Sequence, residues 1–356
     1  MILITKPFFP PFDEYEELLK KIWTSGWITN NGPFVLKLEK SLKKYLDVPS
    51  LLFVGNGTIA LQIAIKTLNL EKEIITTPFS YVATSSSIFW ENCTPVFADI
   101  DKSTFNIDPK KIEEKITPNT TAILATHVFG NPCDVEVIQK IASENELKVI
   151  YDAAHCFGSK YKGESIFKWG DISTASFHAT KIFHTVEGGA LVSQNPDIIK
   201  KASYMRNFGH DGPGKFNGVG INGKNSELHA AMGILNLKYI DEILEKRKEQ
   251  YFFYANSLKG LDLHFQKVKD QCETNFSYFP VLFDKESLLL KVLEQLKKKD
   301  IVPRRYFYPS LNKLGYLNGE AKISEDISSR ILCLPLYHDL QIQDQEVIVR
   351  TIKNCL

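Results

Sequence analysis

The chain has no long apolar run, no paired-cysteine motif, no block of like charge and no low-complexity stretch. No segment approaches the roughly 20 consecutive apolar residues that a membrane-crossing helix needs. The opening Met1-Ile2-Leu3-Ile4-Thr5-Lys6-Pro7 is too short, and too soon interrupted by proline, to read as a secretory signal. Its six cysteines (93, 133, 156, 272, 333 and 355) are scattered, with neither CxxC nor zinc-like spacing. They therefore read as reduced thiols of a cytoplasmic protein, with no metal site. The 43 Lys and Arg nearly cancel the 42 Asp and Glu, which argues against nucleic acid or an anionic membrane as partner. No internal repeat is visible. What remains is 356 residues of ordinary globular composition, 44% hydrophobic and 24% charged. That length predicts a large and a smaller domain.

From about residue 50 to 195, short apolar runs alternate with helix-period segments. Leu51 to Val54, Ile74 to Thr77, Pro95 to Ala98, Ala122 to Thr126 and Val149 to Tyr151 read as strands. Ile59, Ala60, Ile63, Ala64 and Leu68, and then Val135, Ile138, Ile141 and Ala142, recur at helical spacing. This alternation predicts an α/β fold with a mainly parallel sheet covered by helices on both faces. Residues 226 to 259 read as one long helix leading to a smaller α+β unit. That unit has a strand over 278 to 283, a helix over 288 to 299 and a closing helix over 345 to 353. The expected division is 1–240 and 241–356.

Ligands of such sheets bind beyond the carboxyl ends of the strands, where several chemically informative residues fall. Gly55-Asn56-Gly57-Thr58 opens a helix directly after a strand. Backbone N–H groups there, with the Thr58 hydroxyl, make a phosphate cradle, though a glycine turn capped by Thr58 fits equally well. The segment lacks the lysine of a P-loop and the spacing of a dinucleotide fingerprint. Asp152 ends an apolar strand, where a carboxylate is costly without a cationic partner such as a protonated pyridine nitrogen. A helix-capping aspartate is the alternative. Next to it, His155 is a candidate for contact with a ring hydroxyl. Tyr81 stands where it could stack on a ring or pack in the core. Ser176-Phe177-His178-Ala179-Thr180-Lys181 places a lysine past a strand and before Glu187-Gly188-Gly189. Held out of water, its amine would become a Schiff-base nucleophile.

A phosphate cradle, an aromatic, a carboxylate and a lysine occur in the order expected for a site of pyridoxal 5'-phosphate. The chain resembles the sugar aminotransferases of the DegT/DnrJ/EryC1/StrS family, within the fold type I pyridoxal-phosphate enzymes. The resemblance runs end to end, through Gly32-Pro33 after Trp27-Ile28-Thr29, Asn56 to Leu61, Tyr151 to His155, Ser176 to Lys181, Glu187-Gly188-Gly189 and Asn222 to Ala231. It implies that Lys181 binds the cofactor aldehyde and moves the proton, and that Asp152 pairs with the pyridine nitrogen. It further implies that Tyr81 stacks on the ring, that His155 lies beside the ring hydroxyl, and that Gly57, Thr58 and Ser176 hold the phosphate. Asn222 matches an asparagine supplied to the neighbouring subunit, which implies a homodimer with shared sites. The family usually follows that asparagine with an aromatic residue and an arginine, whereas this chain has Gly223 and Lys224. Trp27, Thr29, Glu187, Arg305 and Tyr308 are the candidates for the substrate side, the last two within a basic-aromatic cluster, Arg304-Arg305-Tyr306 and Tyr308.

The reaction so implied is ping-pong transamination from L-glutamate to a nucleotide-linked keto-deoxysugar. The wording Ser-Phe-His-Ala-Thr-Lys is similar to members that aminate C4 of dTDP-4-keto-6-deoxy-D-glucose to dTDP-4-amino-4,6-dideoxy-D-glucose. Amination at C3 and a UDP-linked 4-keto sugar are the rival expectations. A sugar dehydratase on this fold would carry histidine at position 181. A non-catalytic regulatory homologue would have lost Asp152, Lys181 or Ser176.

Overall fold

Seven apolar segments form one sheet in a computed structural model that describes residues 1–356. They are β1 (Ser50–Val54), β2 (Glu73–Thr76), β3 (Thr94–Phe97), β4 (Thr120–Thr126), β5 (Lys148–Asp152), β6 (Ile172–Ser176) and β7 (Gly189–Ser193). Their spatial order is β1-β7-β6-β5-β4-β2-β3. All adjacent pairs are parallel except those made by β7, which runs antiparallel to both β1 and β6. Side chains of a strand alternate between faces, and the core divides accordingly. Leu51, Phe53, Ile75, Ile123, Ala125, Val149 and Tyr151 enter one apolar cluster, whereas Leu52, Val54, Ile74, Ala122, Leu124 and Ile150 enter another. Helices Pro33–Tyr45 and Val135–Glu144 cover the first face, and Gly57–Thr67 and Pro196–Arg206 the second. Burial on both faces explains why these strands read as continuous apolar runs.

A second unit has its own core around a three-stranded antiparallel sheet of Leu263–Phe265, Phe279–Phe283 and Ile331–Leu334. Helices Glu286–Lys297 and Ile342–Lys353 cover it. An aromatic cluster joins the two units, with Phe79, Phe105 and Phe129 of the first packed against Phe307, Ile331 and Cys333 of the second. Phe307 lies 5.5 Å from Phe79 and 5.7 Å from Phe129, centroid to centroid. The start of the chain crosses between the units as a strap. Ile2–Leu3 pairs in parallel with Ile301–Val302, the Thr5 hydroxyl donates to the Thr180 carbonyl, and Phe8 O contacts His184 Nε2 at 2.7 Å. No helix is long and apolar enough to cross a membrane.

The single helix expected over 226–259 is two, Glu227–Lys238 and Ile240–Ser257, broken at Tyr239. Tyr239 leaves helical geometry at φ −103°, ψ 3°, and its side chain is committed elsewhere. Its hydroxyl donates to Glu14, and its ring lies 5.5 Å from Phe8. Apolar periodicity continues across such a break and so does not disclose it.

Gly32-Pro33 has a steric basis. The fully buried Glu227 carboxylate accepts the N–H groups of Phe34 (2.7 Å) and Val35 (2.9 Å), thereby capping helix Pro33–Tyr45 from another helix. A Cβ at position 32 would lie 2.6 Å from the Glu227 carboxyl carbon. Only glycine leaves that carboxylate room, and the helix N-terminus favours its charge. Glu227→Ala is expected to lower stability by about 2–3 kcal/mol, because two helix donors lose their acceptor. A urea midpoint unchanged from wild type would contradict that role.

Candidate active site

The carboxyl ends of β1, β5 and β6 open into a cavity of about 380 Å³. Gly189 at the start of the antiparallel β7 stands level with Val54 on one side and Ser176 on the other. This places the turn after β1 beside the end of β6. Asn56 caps helix Gly57–Thr67, its Oδ1 accepting from Ile59 N at 2.8 Å. The cap is therefore Asn56 and not Thr58, which leaves Thr58 exposed along the cavity wall with Gly57 and Ser176. A Cβ on Gly57 would approach Ser176 Cβ to 3.0 Å, and one on Gly189 would meet the Asn56 carbonyl carbon at 2.5 Å. The three segments converge closely enough to present a helix N-terminus and two hydroxyls to one anion.

Asp152, at the end of β5, is buried and lines the cavity. Its Oδ2 accepts from Thr84 Oγ1 at 2.7 Å and its Oδ1 from Ala154 N at 3.1 Å. The Ala154 bond closes a turn, not a helix cap. Burial raises its pKa, against the lowering effects of Thr84, Ala154 and Lys181. Both hydrogen-bond donors are neutral, so the carboxylate has no direct cationic partner. Lys181, of intermediate exposure, faces the same cavity without a salt bridge or hydrogen bond from its amine. Desolvation lowers its pKa to about 8, against the opposing charge of Asp152. Near physiological pH such an amine is still mostly protonated, but its neutral, nucleophilic fraction is far larger than that of an ordinary lysine.

Buried His155 has its Nδ1 without any hydrogen-bond partner. Burial, and then the Lys181 charge, push its pKa well below the ordinary histidine range. Its ring is nearly parallel to Phe307, at 5.9 Å, and tilted against Tyr278 at 4.8 Å. Tyr81 precedes helix Val82–Trp90 and stands 54% exposed on the cavity wall, free to stack on a planar ligand. Glu187 also reaches the cavity, where its Oε1 lies 3.5 Å from His178 Nε2. Thr180 N donates to His178 Nδ1, which leaves the ring proton on Nε2, facing that carboxylate.

Other candidates lie outside the cavity of their own chain. Trp27 and Thr29 are exposed, the indole donating to Thr29 O at 2.5 Å. Asn222 is exposed, bridged to Asn207 through the backbone, and its Oδ1 accepts from Lys224 Nζ at 2.9 Å. Nearby Asn225 instead holds the Glu187 carbonyl at 2.8 Å. Arg305 turns away to Glu286 (2.6 Å) and Ser329 O (2.7 Å), with Tyr308 stacked on its guanidinium. Arg304, Tyr306 and Phe307 line the cavity in place of Arg305 and Tyr308. Sequence reasoning also missed Thr84 and Tyr278. A signal for the former exists in Thr84-Ser85-Ser86-Ser87, a hydroxyl-rich run inside a helix whose flanks are apolar. No three or more His, Cys, Asp or Glu side chains gather as a metal-binding set.

Comparison with known proteins agrees with this geometry. The family model described as the DegT/DnrJ/EryC1/StrS aminotransferase family matches residues 13–353. A dTDP-4-amino-4,6-dideoxy-D-glucose transaminase from Shigella dysenteriae is 43% identical, over 99% of this chain and 98% of its own length. The enzyme of that name from Escherichia coli is 39% identical, over 99% and 97%. The solved structure of DesI in the presence of its TDP-sugar product superposes with a TM-score of 0.94 at 30% identity, covering 99% of this chain and 92% of that one. The architecture is that of the fold type I aminotransferases, and the chain belongs to the DegT/DnrJ/EryC1/StrS aminotransferase family.

Proposed function

We propose that this family member uses pyridoxal 5'-phosphate to move the amino group of L-glutamate to C4 of dTDP-4-keto-6-deoxy-D-glucose. The products are 2-oxoglutarate and dTDP-4-amino-4,6-dideoxy-D-glucose. The observation that carries the reading is one cavity holding a lysine amine lowered to about 8, a buried carboxylate and a helix N-terminus. The sugar and its nucleotide rest on the two transaminases, alike along nearly the whole chain. Six free cysteines fit a reducing cytoplasm.

The residues present fit the cofactor. Asp152 lacks the cation that a pyridinium nitrogen would supply, and His155 has a buried Nδ1 without a partner. Gly57 admits the close approach of Ser176 that an anion cradle requires. When bound, pyridoxal 5'-phosphate supplies an electron sink that stabilises charge at the donor Cα. Lys181 would hold the group through its amine and, once released, carry the proton on and off the substrate carbon. Asp152 would keep the ring nitrogen protonated, Tyr81 would cover the ring, and Gly57, Thr58 and Ser176 would bind the phosphate. Asn222 is assigned to the site of a second copy of this chain. The large exposed side chains Trp23, Trp27, Phe89, Trp90 and Phe216 support such an interface.

The test is direct. Purified protein given the cofactor is expected to gain a visible absorption band that L-glutamate discharges. With dTDP-4-keto-6-deoxy-D-glucose, NMR is expected to place the new C–N bond at C4. A bond at C3, or turnover only with a UDP-linked sugar, would overturn the substrate assignment. No band would overturn the cofactor. Sedimentation as a monomer would remove the role given to Asn222.

A further inference from the structure

The chain has six arginines, and four of them commit their guanidinium groups inside the protein. Arg206 is paired with Glu39 and the Phe53 carbonyl, and Arg247 with the carbonyls of Phe276 and Ser277. Arg305 is held by Glu286 and Ser329, and Arg330 by Asp326 and Phe283. Arg350 lies on the surface of the closing helix. Arg304 alone lines the active-site cavity, and its side chain has no hydrogen bond and no carboxylate partner within the chain.

Arg304 is nonetheless positioned. Its backbone exchanges two hydrogen bonds with Cys333, at 3.1 and 2.8 Å, which anchors it to the sheet of the second unit. Its guanidinium lies 4.9 Å above the Tyr306 ring. This cation–π contact takes up none of its N–H groups, which have no hydrogen-bond partner in the chain and so suit bidentate binding of a carboxylate. The other charged groups of the cavity are accounted for. Lys181 and Asp152 face each other's charge, and His178 is beside Glu187.

An amino donor must bring its amino group to Lys181, which lines the same cavity as Arg304 but is less exposed. A carboxylate at the far end of its side chain then points back to the rim, where Arg304 is exposed. We propose that Arg304 is a specificity residue that binds the distal carboxylate of a dicarboxylic amino donor and so selects L-glutamate over neutral amino acids. This rests on the aminotransferase reading above. The diphosphate of a sugar nucleotide is the other anion with chemistry to suit the same fork, and the experiment separates the two.

The holoenzyme of wild type, Arg304→Gln, Arg304→Lys and the surface control Arg350→Gln would be compared in separate half-reactions. In the donor half, Arg304→Gln is expected to raise half-saturation for L-glutamate about 10- to 100-fold while leaving that for L-glutamine unchanged. Lysine at this position restores part of the loss, because it keeps the charge but not the fork. Calorimetry is expected to show the same loss for glutarate, an unreactive dicarboxylate, and little change for butyrate. Half-saturation for the keto sugar in the acceptor half stays within about twofold. Equal losses for glutamate and glutamine, or a loss confined to the sugar nucleotide, would overturn the assignment. If wild-type holoenzyme accepts no amino donor at all, the aminotransferase reading fails. If wild type accepts glutamate and Arg304→Gln is unaltered, only the role of Arg304 fails.

Discussion

Lys181→Ala is expected to reduce turnover by more than about 10⁴-fold, because in the proposed reaction one substitution removes both the nucleophile and the proton carrier. The variant should fold, since the amine makes no hydrogen bond or ion pair whose loss would strand a buried partner. Its effect on stability depends on pH in a predictable direction. With its folded pKa near 8, below the ordinary lysine value of 10.5, the folded chain binds fewer protons than the unfolded chain between those limits. Stability of the cofactor-free protein therefore rises with pH from about 8 towards 10.5, and Lys181→Ala should lose that component. The same shift governs uptake of the cofactor. Stopped-flow absorbance should show the capture rate rising through pH of about 8. A midpoint at the ordinary lysine value, or turnover retained by the alanine variant, would defeat the role given to Lys181.

Asp152→Asn is expected to cost on the order of 10²–10³-fold in turnover, the usual scale for removing a preorganised charge from a water-poor site. The amide retains much of the shape and the hydrogen bond to Ala154, so a large loss isolates charge from packing. Stability should move the other way. Burial raises the Asp152 pKa, so the folded chain binds more protons than the unfolded chain above the ordinary aspartate range. This carboxylate therefore contributes less stability as pH rises through its raised pKa, the reverse of a salt-bridged aspartate. The cofactor-free Asn variant should be at least as stable as wild type at neutral pH. Thermal melts of both proteins without and with pyridoxal 5'-phosphate would check this. A less stable cofactor-free variant would mean that Asp152 is structural.

The two residues with the largest expected effects were also the most legible in the sequence, and for one reason. Asp152 ends a buried strand and Lys181 lies in the loop that follows another, both beyond the carboxyl ends of strands, where ligands of such sheets bind. The strands themselves were readable because both faces of the sheet are covered. The mainly parallel direction was readable too, but strand order and the reversal of β7 were not. Ala190-Leu191-Val192 reads the same in either direction, and only the pairing of Gly189 with Val54 and Ser176 reveals that β7 is antiparallel. Asn56 was overlooked as the cap because Thr58 satisfies the same preference two residues later. Arg304 and Arg305 are chemically equivalent in sequence, and only the folded chain, which ties Arg305 to Glu286 and Ser329, shows which reaches the cavity. Tyr239 interrupts a helix through contacts with Glu14 and Phe8, more than 200 residues earlier.

The amino-terminal strap bears on the order in which a ribosome can complete this protein. The seven strands of the main sheet are all synthesised by residue 193, and sheet folding can begin then. Residues 2–3 must wait for residues 301–302 before they find their partner strand. Until that late stretch emerges, Thr5 and Phe8 lack the anchor that holds them near the loop carrying Thr180 and Lys181. Domains fold largely as units during synthesis, so a nascent chain could hold a nearly finished sheet around an unfinished lysine loop. Residues 2–3 are thus made about 300 residues before the strand that fixes them, and the lysine loop they brace is completed late.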